Sequence, residues 1–235
     1  MLIDLHVHSS GASRCCKIAL PEGLDAAREV GIDGIALTNH YQKNYTEKLG
    51  IDIPTMIERY QAEFTRATEL AAARHMPCFF GIEITMERYT GVHMVVYGAD
   101  PDFLNANPDV FDATQEALYR TVHAAGGILV QAHPYRKGSP LMDPAWMDAV
   151  EINCHPLYQN IYFPEILAVA EQYRLPLTCG GDYHADTYRP KCGLYLPDDL
   201  RDTQDLANYI RTAPHTRLCV QDVNGTPFDF EYRRK

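Results

Sequence analysis

Residues 2–9 read LIDLHVHS, an apolar strand pattern interrupted by one carboxylate and two imidazoles. Alternate side chains of a strand share a face, so Asp4, His6 and His8 lie on one side and the apolar residues on the other. Burying a polar face costs free energy unless its groups gain partners. The stretch therefore predicts a buried strand whose polar face binds something.

Seven short apolar runs alternate with amphipathic stretches along the chain. The predicted strands are Leu2–Val7, Gly34–Leu37, Cys78–Ile84, Val92–Tyr97, Ile128–Val130, Ala149–Ile152 and Leu177–Cys179. The predicted helices are about Pro21–Val30, Pro54–His75, Ala113–Ala125, Phe163–Tyr173 and Thr203–Arg211. Strands that alternate with helices form βα units around a mainly parallel sheet. About seven such units in one domain, residues 1–235, favour a closed α/β barrel over an open sheet. The end of the chain, residues 224–235, is interpreted as a tail or a terminal extension.

The composition restricts the classes of protein to which this chain can belong. A formal net charge of −10 over 235 residues argues against a broad nucleic-acid-binding surface. No apolar run approaches the roughly 20 residues that span a bilayer, and the polar residues of the first run argue against a secretory signal. Seven scattered cysteines without a C-x-x-C pair are typical of a reducing compartment. We therefore expect a cytoplasmic protein with no membrane partner, and the sequence leaves its oligomeric state open.

Histidines and carboxylates recur at the boundaries of the predicted strands, where a parallel barrel would bring them to one face. These candidate metal ligands are His6, His8, His40, Glu83, His93, His133, Asp182 and His184. Their nitrogen and oxygen donors suit zinc, manganese or iron, and eight ligands are too many for one ion. A carboxylate such as Glu83 can bridge two ions about 3.5–4 Å apart. His93 begins its run instead of ending it, so it joins the cluster only if its strand runs opposite to its neighbours.

These residues stand in the motifs DLHVHS, GIDGIALTNH, GIEI, GVH, AHP and GGDYH, in that order over residues 2 to about 185. The ordered set resembles the PHP (polymerase and histidinol phosphatase) superfamily. The resemblance implies a distorted (β/α)7 TIM-like barrel with two or three divalent metal ions at the C-terminal strand ends. It also implies hydrolysis of a small phosphoester, either a monoester or a diester, by a water molecule that the ions activate.

The resemblance also distributes the ligands among the ions. It implies one ion held by His6, His8, Glu83 and Asp182. It implies a second ion that shares Glu83 and takes His93 and His133. A third ion would take His40, His184 and a further ligand, usually Asp or His, shortly after the H-x-H motif.

Two residues depart from the family pattern near that third ion. Arg14 aligns with the further ligand, and a guanidinium cannot bind a cation because it stays protonated and has no free lone pair. Three alternatives then stay open. The third ion is absent or weakly bound, or Cys15 or a water molecule completes its ligand set. Alternatively, Arg14 binds the substrate phosphate in place of the ion. Asn39 stands where the family usually has Asp, which removes one negative charge from the same corner.

Roles beyond metal binding are hypotheses. Asp182 or a histidine beside the activated water would act as base, and His155 or His184 would protonate the leaving oxygen. Arg14 and Arg136 are the preferred phosphate contacts, because an Arg fork binds phosphate bidentately. Asp4 would orient a ligating histidine, or instead cap a helix or form strand-end hydrogen bonds. Two alternatives stay open, an amidohydrolase-like enzyme and a non-catalytic metal-binding module, and the substrate is not named by the sequence.

Overall fold

The structure is a computed structural model that describes residues 1–136, 138–157, 161–185 and 187–234. Its strands, numbered in chain order, are β1 (Leu2–Val7), β2 (Gly34–Leu37), β3 (His40–Tyr41), β4 (Cys78–Thr85), β5 (His93–Tyr97), β6 (Ile128–Gln131), β7 (Ala149–Asn153), β8 (Leu177–Gly180), β9 (Gly193–Tyr195), β10 (His215–Gln221) and β11 (Pro227–Arg233). All seven predicted strands are present, and each end lies within one residue of the prediction.

The sheet curves into a nearly closed barrel. Hydrogen-bonded neighbours follow the order β11-β10-β9-β1-β2-β4-β5-β6-β7-β8, and the short β3 pairs with β4. A parallel bridge between Val7 and Tyr183 brings the segment after β8 back to β1. The predicted α/β, TIM-like barrel is therefore confirmed, and it is distorted because β5 runs antiparallel to both β4 and β6. That reversal is the condition under which His93 reaches the same barrel end as the other candidate ligands.

Helices cover the outside of the barrel. They are α1 (Leu20–Glu29), α2 (Asn44–Leu49), α3 (Ile53–Ala72), α4 (Phe103–Ala106), α5 (Gln115–Ala124), α6 (Phe163–Tyr173) and α7 (Thr203–Thr212). The five predicted helices are all found, and the short helices α2 and α4 are additional to the prediction. Among the described residues, no helix combines the length and the apolar character needed to cross a membrane.

The long helix α3 anchors the strand ends that carry the candidate site. Asp52 caps its first turn by accepting a hydrogen bond from the Thr55 N–H at 2.9 Å, as an N-cap carboxylate does. The buried Tyr60 hydroxyl lies 2.6 Å from the carbonyl oxygen of Asn39 and 2.9 Å from that of Gly81. One side chain of α3 thus fastens the chain after β2 to the middle of β4.

The interpretation of residues 224–235 as a tail is wrong. Residues 227–233 form β11, which pairs antiparallel with β10 along its whole length. Alternation places Phe228, Phe230 and Tyr232 on one face of β11. Phe228 and Phe230 pack edge-on against Phe163 of α6, and the Tyr232 hydroxyl donates to the carbonyl of Leu175 at 3.0 Å. These contacts cover part of the apolar face of the hairpin, with Tyr232 buried and Phe228 still exposed, and they make the hairpin part of the sheet.

Candidate metal centre

The buried carboxylate of Glu83, on β4, lies at the middle of the cluster. Its Oε1 is 2.9 Å from Nδ1 of His93, 3.0 Å from Nε2 of His133 and 3.4 Å from Nε2 of His6. Its Oε2 is 2.6 Å from Nδ1 of His40 and 3.4 Å from Nε2 of His8. A carboxylate surrounded by imidazoles on both oxygens has the arrangement of a bridging ligand.

The tautomer of His8 follows from its surroundings. Asn39 Oδ1 accepts the Ser9 N–H at 2.8 Å, so the Ser13 hydroxyl, also 2.8 Å from Oδ1, donates to it. Ser13 Oγ also accepts the N–H of His40 at 2.9 Å, and it lies 3.1 Å from Nδ1 of His8. Because the hydroxyl proton is already committed, His8 Nδ1 is the donor. The other ring nitrogen of His8, Nε2, is therefore left to face the cluster.

His6 is held in the same way by Glu151, a residue of β7. Oε1 of Glu151 lies 2.7 Å from Nδ1 of His6, so that nitrogen carries a proton. The Nε2 atoms of His6 and His8 are 3.0 Å apart, and Oδ1 of Asp182 is 3.5 Å from the former and 3.2 Å from the latter. With both Nδ1 protons committed, the two lone pairs point at each other, and only a cation or an added proton between them relieves the repulsion.

His40 and His184 form the outer end of the cluster, with 3.3 Å between their Nε2 atoms. His184 Nδ1 lies 2.8 Å from the backbone carbonyl of Asp182 and donates to it, which directs Nε2 toward His40. Cys15 lines the cavity beside this pair. Burial raises the pKa of Cys15, but hydrogen bonds with His184 and His40 outweigh burial and lower that pKa to about 5.

Two of the candidate ligands sit in unusual backbone conformations. His133 has φ 31° and Asp182 has φ 49°, in the left-handed region that residues other than glycine rarely adopt. Such backbone strain persists where the surrounding structure fixes it, and it concentrates at functional sites. The strain places His133 and Asp182 within reach of Glu83 and of the H-x-H histidines respectively.

Charge in the cluster favours a bound cation. Burial alone would raise the pKa of Glu83, but the neighbouring imidazoles, His40 foremost, hold it well below its usual range. Burial would also lower the pKa of His6, yet the carboxylate of Glu151 and those of the cluster raise it well above the ordinary value. The carboxylates are therefore ionised, and they attract positive charge to the imidazoles.

The residues present fit divalent ions. Two buried carboxylate oxygens, Glu83 Oε2 and Asp182 Oδ1, face imidazole nitrogens at 2.6–3.5 Å without an aligned hydrogen bond. Nitrogens bound to one zinc at about 2.0–2.1 Å lie roughly 3.3 Å apart in a tetrahedral site, close to the separations of the paired Nε2 atoms. Sets of ligand atoms close enough to share an ion are His6–His8–Glu83, His40–Glu83–His93 and His8–His40–His184. All eight candidate ligands lie in this one cluster, and their assignment to particular ions stays a prediction.

Two polar residues next to the ligands differ from the expectation. Asp4 does not orient an imidazole: its Oδ1 accepts the N–H groups of His6 and Gly181, and its Oδ2 pairs with Arg189 at 2.9 Å. Of the two roles open to Asp4, the strand-end hydrogen bonds are the ones found. The residue that orients a ligand is Glu151, which the sequence reasoning missed, although its position inside an apolar strand was a signal of the same kind as that of Glu83.

A cavity of about 330 Å³ opens above the cluster, and it is lined by Cys15, His40, Gln42, His93, Arg136, His155, Asp182 and His184. Arg136 Nη1 lies 3.5 Å from Oδ2 of Asp182 and 3.4 Å from Nε2 of His133. Arg14 is exposed and lines a neighbouring cavity with Cys15 and Lys48. Of the two arginines proposed to contact phosphate, Arg136 is the one beside the cluster.

Comparison with solved structures identifies the fold. A two-domain protein from Bacteroides vulgatus, described as containing a predicted PHP-like metal-dependent phosphoesterase, aligns with a TM-score of 0.66 and 17% identity over 94% of this chain. The chain has the PHP-like fold. It spans 65% of that protein. The fold that the sequence resemblance implies is thus confirmed.

Two further solved structures share this fold. A candidate metal-dependent phosphoesterase from Bifidobacterium adolescentis aligns with a TM-score of 0.56 and 19% identity over 88% of this chain and 94% of that one. An amidohydrolase from Chromobacterium violaceum, with bound sulfate and no metal, aligns with a TM-score of 0.61 and 18% identity over 88% of this chain and 96% of that one. No family model matches the sequence, and no curated protein matches it significantly.

Proposed function

We propose that the protein is a metal-dependent hydrolase of a small phosphoester. The observation that carries the proposal is the pair of Nε2 atoms of His6 and His8, 3.0 Å apart and both facing the carboxylates of Glu83 and Asp182. The sites for the ions are His6, His8, Glu83 and Asp182 for one, and Glu83, His93 and His133 for a second. Zinc, manganese and iron all suit these donors.

The residues around the ions suggest how the chain would assist hydrolysis. Divalent ions bound here would lower the pKa of a water molecule and polarise phosphoryl oxygens. The buried Asp182 carboxylate, next to His6 and His8, is a candidate acceptor for the proton of the attacking water. Burial lowers the pKa of His155 to about 4, so its ring is neutral; Nδ1 accepts the Leu157 N–H at 3.1 Å, and Nε2–H would donate to the leaving oxygen. His184 is the weaker candidate for this step, since its Nε2 faces His40.

Arg136 favours a phosphoester over an amide or a lactone. Its guanidinium stands over the cluster beside Asp182 and His133, where it would bind a phosphoryl oxygen while the ions hold others. Hydrolysis of amides by metal barrels usually uses a carboxylated lysine or a lone catalytic Asp. The described lining of the cavity contains no lysine. Asp182 is not a lone carboxylate either, because it contacts three histidine side chains. The cavity is of a size that accepts a small molecule.

The state of the cysteines supports a reducing compartment such as the cytoplasm. All seven cysteines lie in the described ranges and are free thiols, and five of them are buried. Two of the buried thiols, Cys154 and Cys179, come within 3.6 Å of each other without a bond. Thiols this close stay reduced where the thiol pool of the cell keeps them so.

The test combines metal content with turnover on one sample. Protein purified without chelator is measured for zinc, manganese and iron per chain, and is assayed on panels of phosphomonoesters, phosphodiesters, amides and lactones. We expect at least two ions per chain and turnover of a phosphoester that is lost in His6→Ala and Asp182→Asn. His215→Ala, a change at the exposed start of β10, is the matched control and should keep both the bound ions and the turnover.

Each other result selects a different function. Turnover of amides or lactones alone would point to the amidohydrolase-like alternative, for which the name of the Chromobacterium violaceum protein is the supporting observation. Bound ions without turnover on any panel would point to a non-catalytic metal-binding module. Protein that binds less than one ion, even after zinc, manganese or iron is added, would overturn the proposal and leave only the fold.

A further inference from the structure

A second group of metal-binding side chains lies apart from the histidines and consists of three thiols. The Sγ atoms of Cys154, Cys179 and Cys192 all lie within 4.8 Å of one another, and those of Cys154 and Cys179 are 3.6 Å apart. All three side chains are buried, with exposed fractions of 1%, 0% and 0%. The three residues are far apart in the sequence, so no C-x-x-C pair marks them, and the proposed reaction uses none of them.

The sheet brings the three cysteines together. Strands β7 and β8 pair in parallel with Ile152 opposite Cys179. The N–H of Cys154, just after β7, donates to the carbonyl of Gly180 at 2.8 Å. Cys192 comes directly before β9, which pairs with β1. Each cysteine therefore lies in or next to a hydrogen-bonded strand, and the backbone fixes the positions of the three thiols.

The thiols lie on the opposite side of β8 from the histidine cluster. A Cβ added at Gly180 would overlap the Cβ of His6 and approach Oε1 of Glu151 to 3.0 Å, so this position faces the cluster. Successive residues of a strand face opposite sides, so Cys179 faces away from it. There its Sγ lies 3.3 Å from the carbonyl oxygen of Cys219, on β10. The three-thiol group is thus separate from the candidate metal centre.

The spacing of the thiols suits a shared ion. Free cysteine packs in cores as a small apolar residue, so burial alone is no sign of a site. Sulfurs bound to one ion at about 2.3 Å lie roughly 3.8–4.0 Å apart in a tetrahedral or trigonal site. The 3.6 Å between Cys154 and Cys179 is close to this value, and Cys192 is within 4.8 Å of both. Side-chain shifts of less than about 1 Å would bring all three sulfurs onto one ion.

The donors restrict the class of ion. Thiolates are soft ligands that select Cu(I), zinc or iron–sulfur clusters, whereas manganese and magnesium prefer oxygen. No fourth histidine, cysteine or carboxylate of the described residues joins the group, so an iron–sulfur cluster, which four thiolates hold, lacks a ligand. Three sulfurs suffice for Cu(I). Zinc usually takes a fourth ligand, but its second charge offsets more of the negative charge that three buried thiolates carry.

We propose that Cys154, Cys179 and Cys192 form a second metal site, which binds one Cu(I) or zinc ion through three thiolates. On binding, each S–H bond is lost, the three protons leave to solvent, and each sulfur donates a lone pair to the ion. No oxidant or reductant is needed for this step. Because the thiols are fully buried, the ion enters as the chain folds, and it then joins β7, β8 and the start of β9. The site does not depend on the proposed function.

The test separates a buried ion from the ions of the open centre. Protein produced with added zinc or copper is handled without oxygen, treated with EDTA while folded, and measured for metal. We expect one retained ion per chain, which is released when the protein is unfolded in urea. X-ray absorption at the edge of the retained metal should show three sulfur neighbours at about 2.3 Å. The element retained decides between Cu(I) and zinc.

A variant assigns the sulfurs to residues. Cys179→Ser should lose the retained ion, and Cys78→Ser, a change at the start of β4 outside the three-thiol group, is the matched control and should keep it. The X-ray absorption measurement needs no variant, so it decides even if Cys179→Ser does not fold.

Two results would overturn the proposal. They are the absence of a retained ion from protein supplied with either metal, and a retained ion with fewer than three sulfur neighbours. Either would leave the three thiols as core packing. Ions bound by nitrogen and oxygen and turnover of a phosphoester in the same protein would leave the proposed function standing, so the two failures are distinguishable.

Discussion

Oε1 of Glu151 lies 2.7 Å from Nδ1 of His6, across 145 positions of sequence and with both side chains buried. The other oxygen, Oε2, accepts the N–H of His133 at 2.9 Å and the amide of Asn153 at 3.1 Å. One carboxylate on β7 thus fixes the ring of a ligand on β1 and the backbone of a ligand after β6. Contacts of this kind set the tautomer of a ligating histidine and raise its basicity.

Replacing Glu151 with Gln should weaken metal binding. A carboxamide has one acceptor oxygen, so it cannot accept from both His6 Nδ1–H and His133 N–H, and its NH2 group would face one of these donors. We expect a loss of about 10–100-fold in metal affinity, measured by competition with a chromogenic chelator. Glu165→Gln on the exposed face of α6 is the control. Unchanged affinity in a folded Glu151→Gln protein would show that Glu151 acts only in packing.

Replacing Arg136 with Ala should impair turnover without removing metal. Its guanidinium lies beside two candidate ligands but is not itself a ligand, so the ions should stay while a charged contact to the phosphoryl group is lost. Hydrogen bonds to charged groups contribute about 1.5–3 kcal/mol, which predicts a decrease in kcat/KM of roughly 10–100-fold. Arg136→Lys should recover part of it, and Arg201→Ala, in the exposed segment just before α7, should change neither turnover nor metal content. Loss of metal in Arg136→Ala would assign the residue to the cluster instead.

The strands and the ligands could be predicted because both signals are local. Buried parallel strands appear as continuous apolar runs, and each candidate ligand stands at the boundary of such a run. Asp182 and His133 could be placed in the cluster without knowledge of their strained backbone, because chain order along a barrel is enough to bring strand ends together. Because His93 begins its apolar run, it joins the cluster only if β5 runs opposite to its neighbours, and the antiparallel pairing of β5 with β4 shows that it does.

What the sequence could not reveal depends on long-range contacts. The role of Asp4 is set by Gly181 and Arg189, which lie 177 and 185 positions away in the sequence. Glu151 was overlooked because nothing near it in the sequence pairs with its charge. The hairpin of β10 and β11 is not predicted from the sequence because its strand pattern is short and polar on one face. The packing of its apolar face against Phe163 is visible only in the structure.

Metal binding should stabilise the fold. The folded site brings the lone pairs of His6 and His8 to within 3.0 Å of each other, an arrangement that the unfolded chain lacks. An ion that binds only the folded state, at 100 times its dissociation constant, adds about 2.7 kcal/mol, which is a rise in Tm of roughly 5–10 °C for a chain of this length. Calorimetry with zinc and with EDTA measures this difference. Glu83→Ala should lose the response, and His215→Ala should keep it; a Tm indifferent to zinc in the wild type would contradict the prediction.

Asp4 should contribute to stability and not to metal binding. Its carboxylate is fully buried, accepts two backbone N–H groups and pairs with the buried Arg189. In Asp4→Asn the single amide oxygen cannot serve both the backbone donors and the guanidinium, so a buried charge or a buried N–H loses its partner. Breaking a buried ion pair from one side costs about 3–5 kcal/mol, and urea unfolding of chelator-treated protein measures it.

The exposed pair of Asp25 and Arg74 provides the matched control, because surface ion pairs contribute little, so Asp25→Asn should unfold close to the wild-type midpoint. Asp4→Asn protein that kept its stability but lost metal would instead assign Asp4 to the orientation of His6.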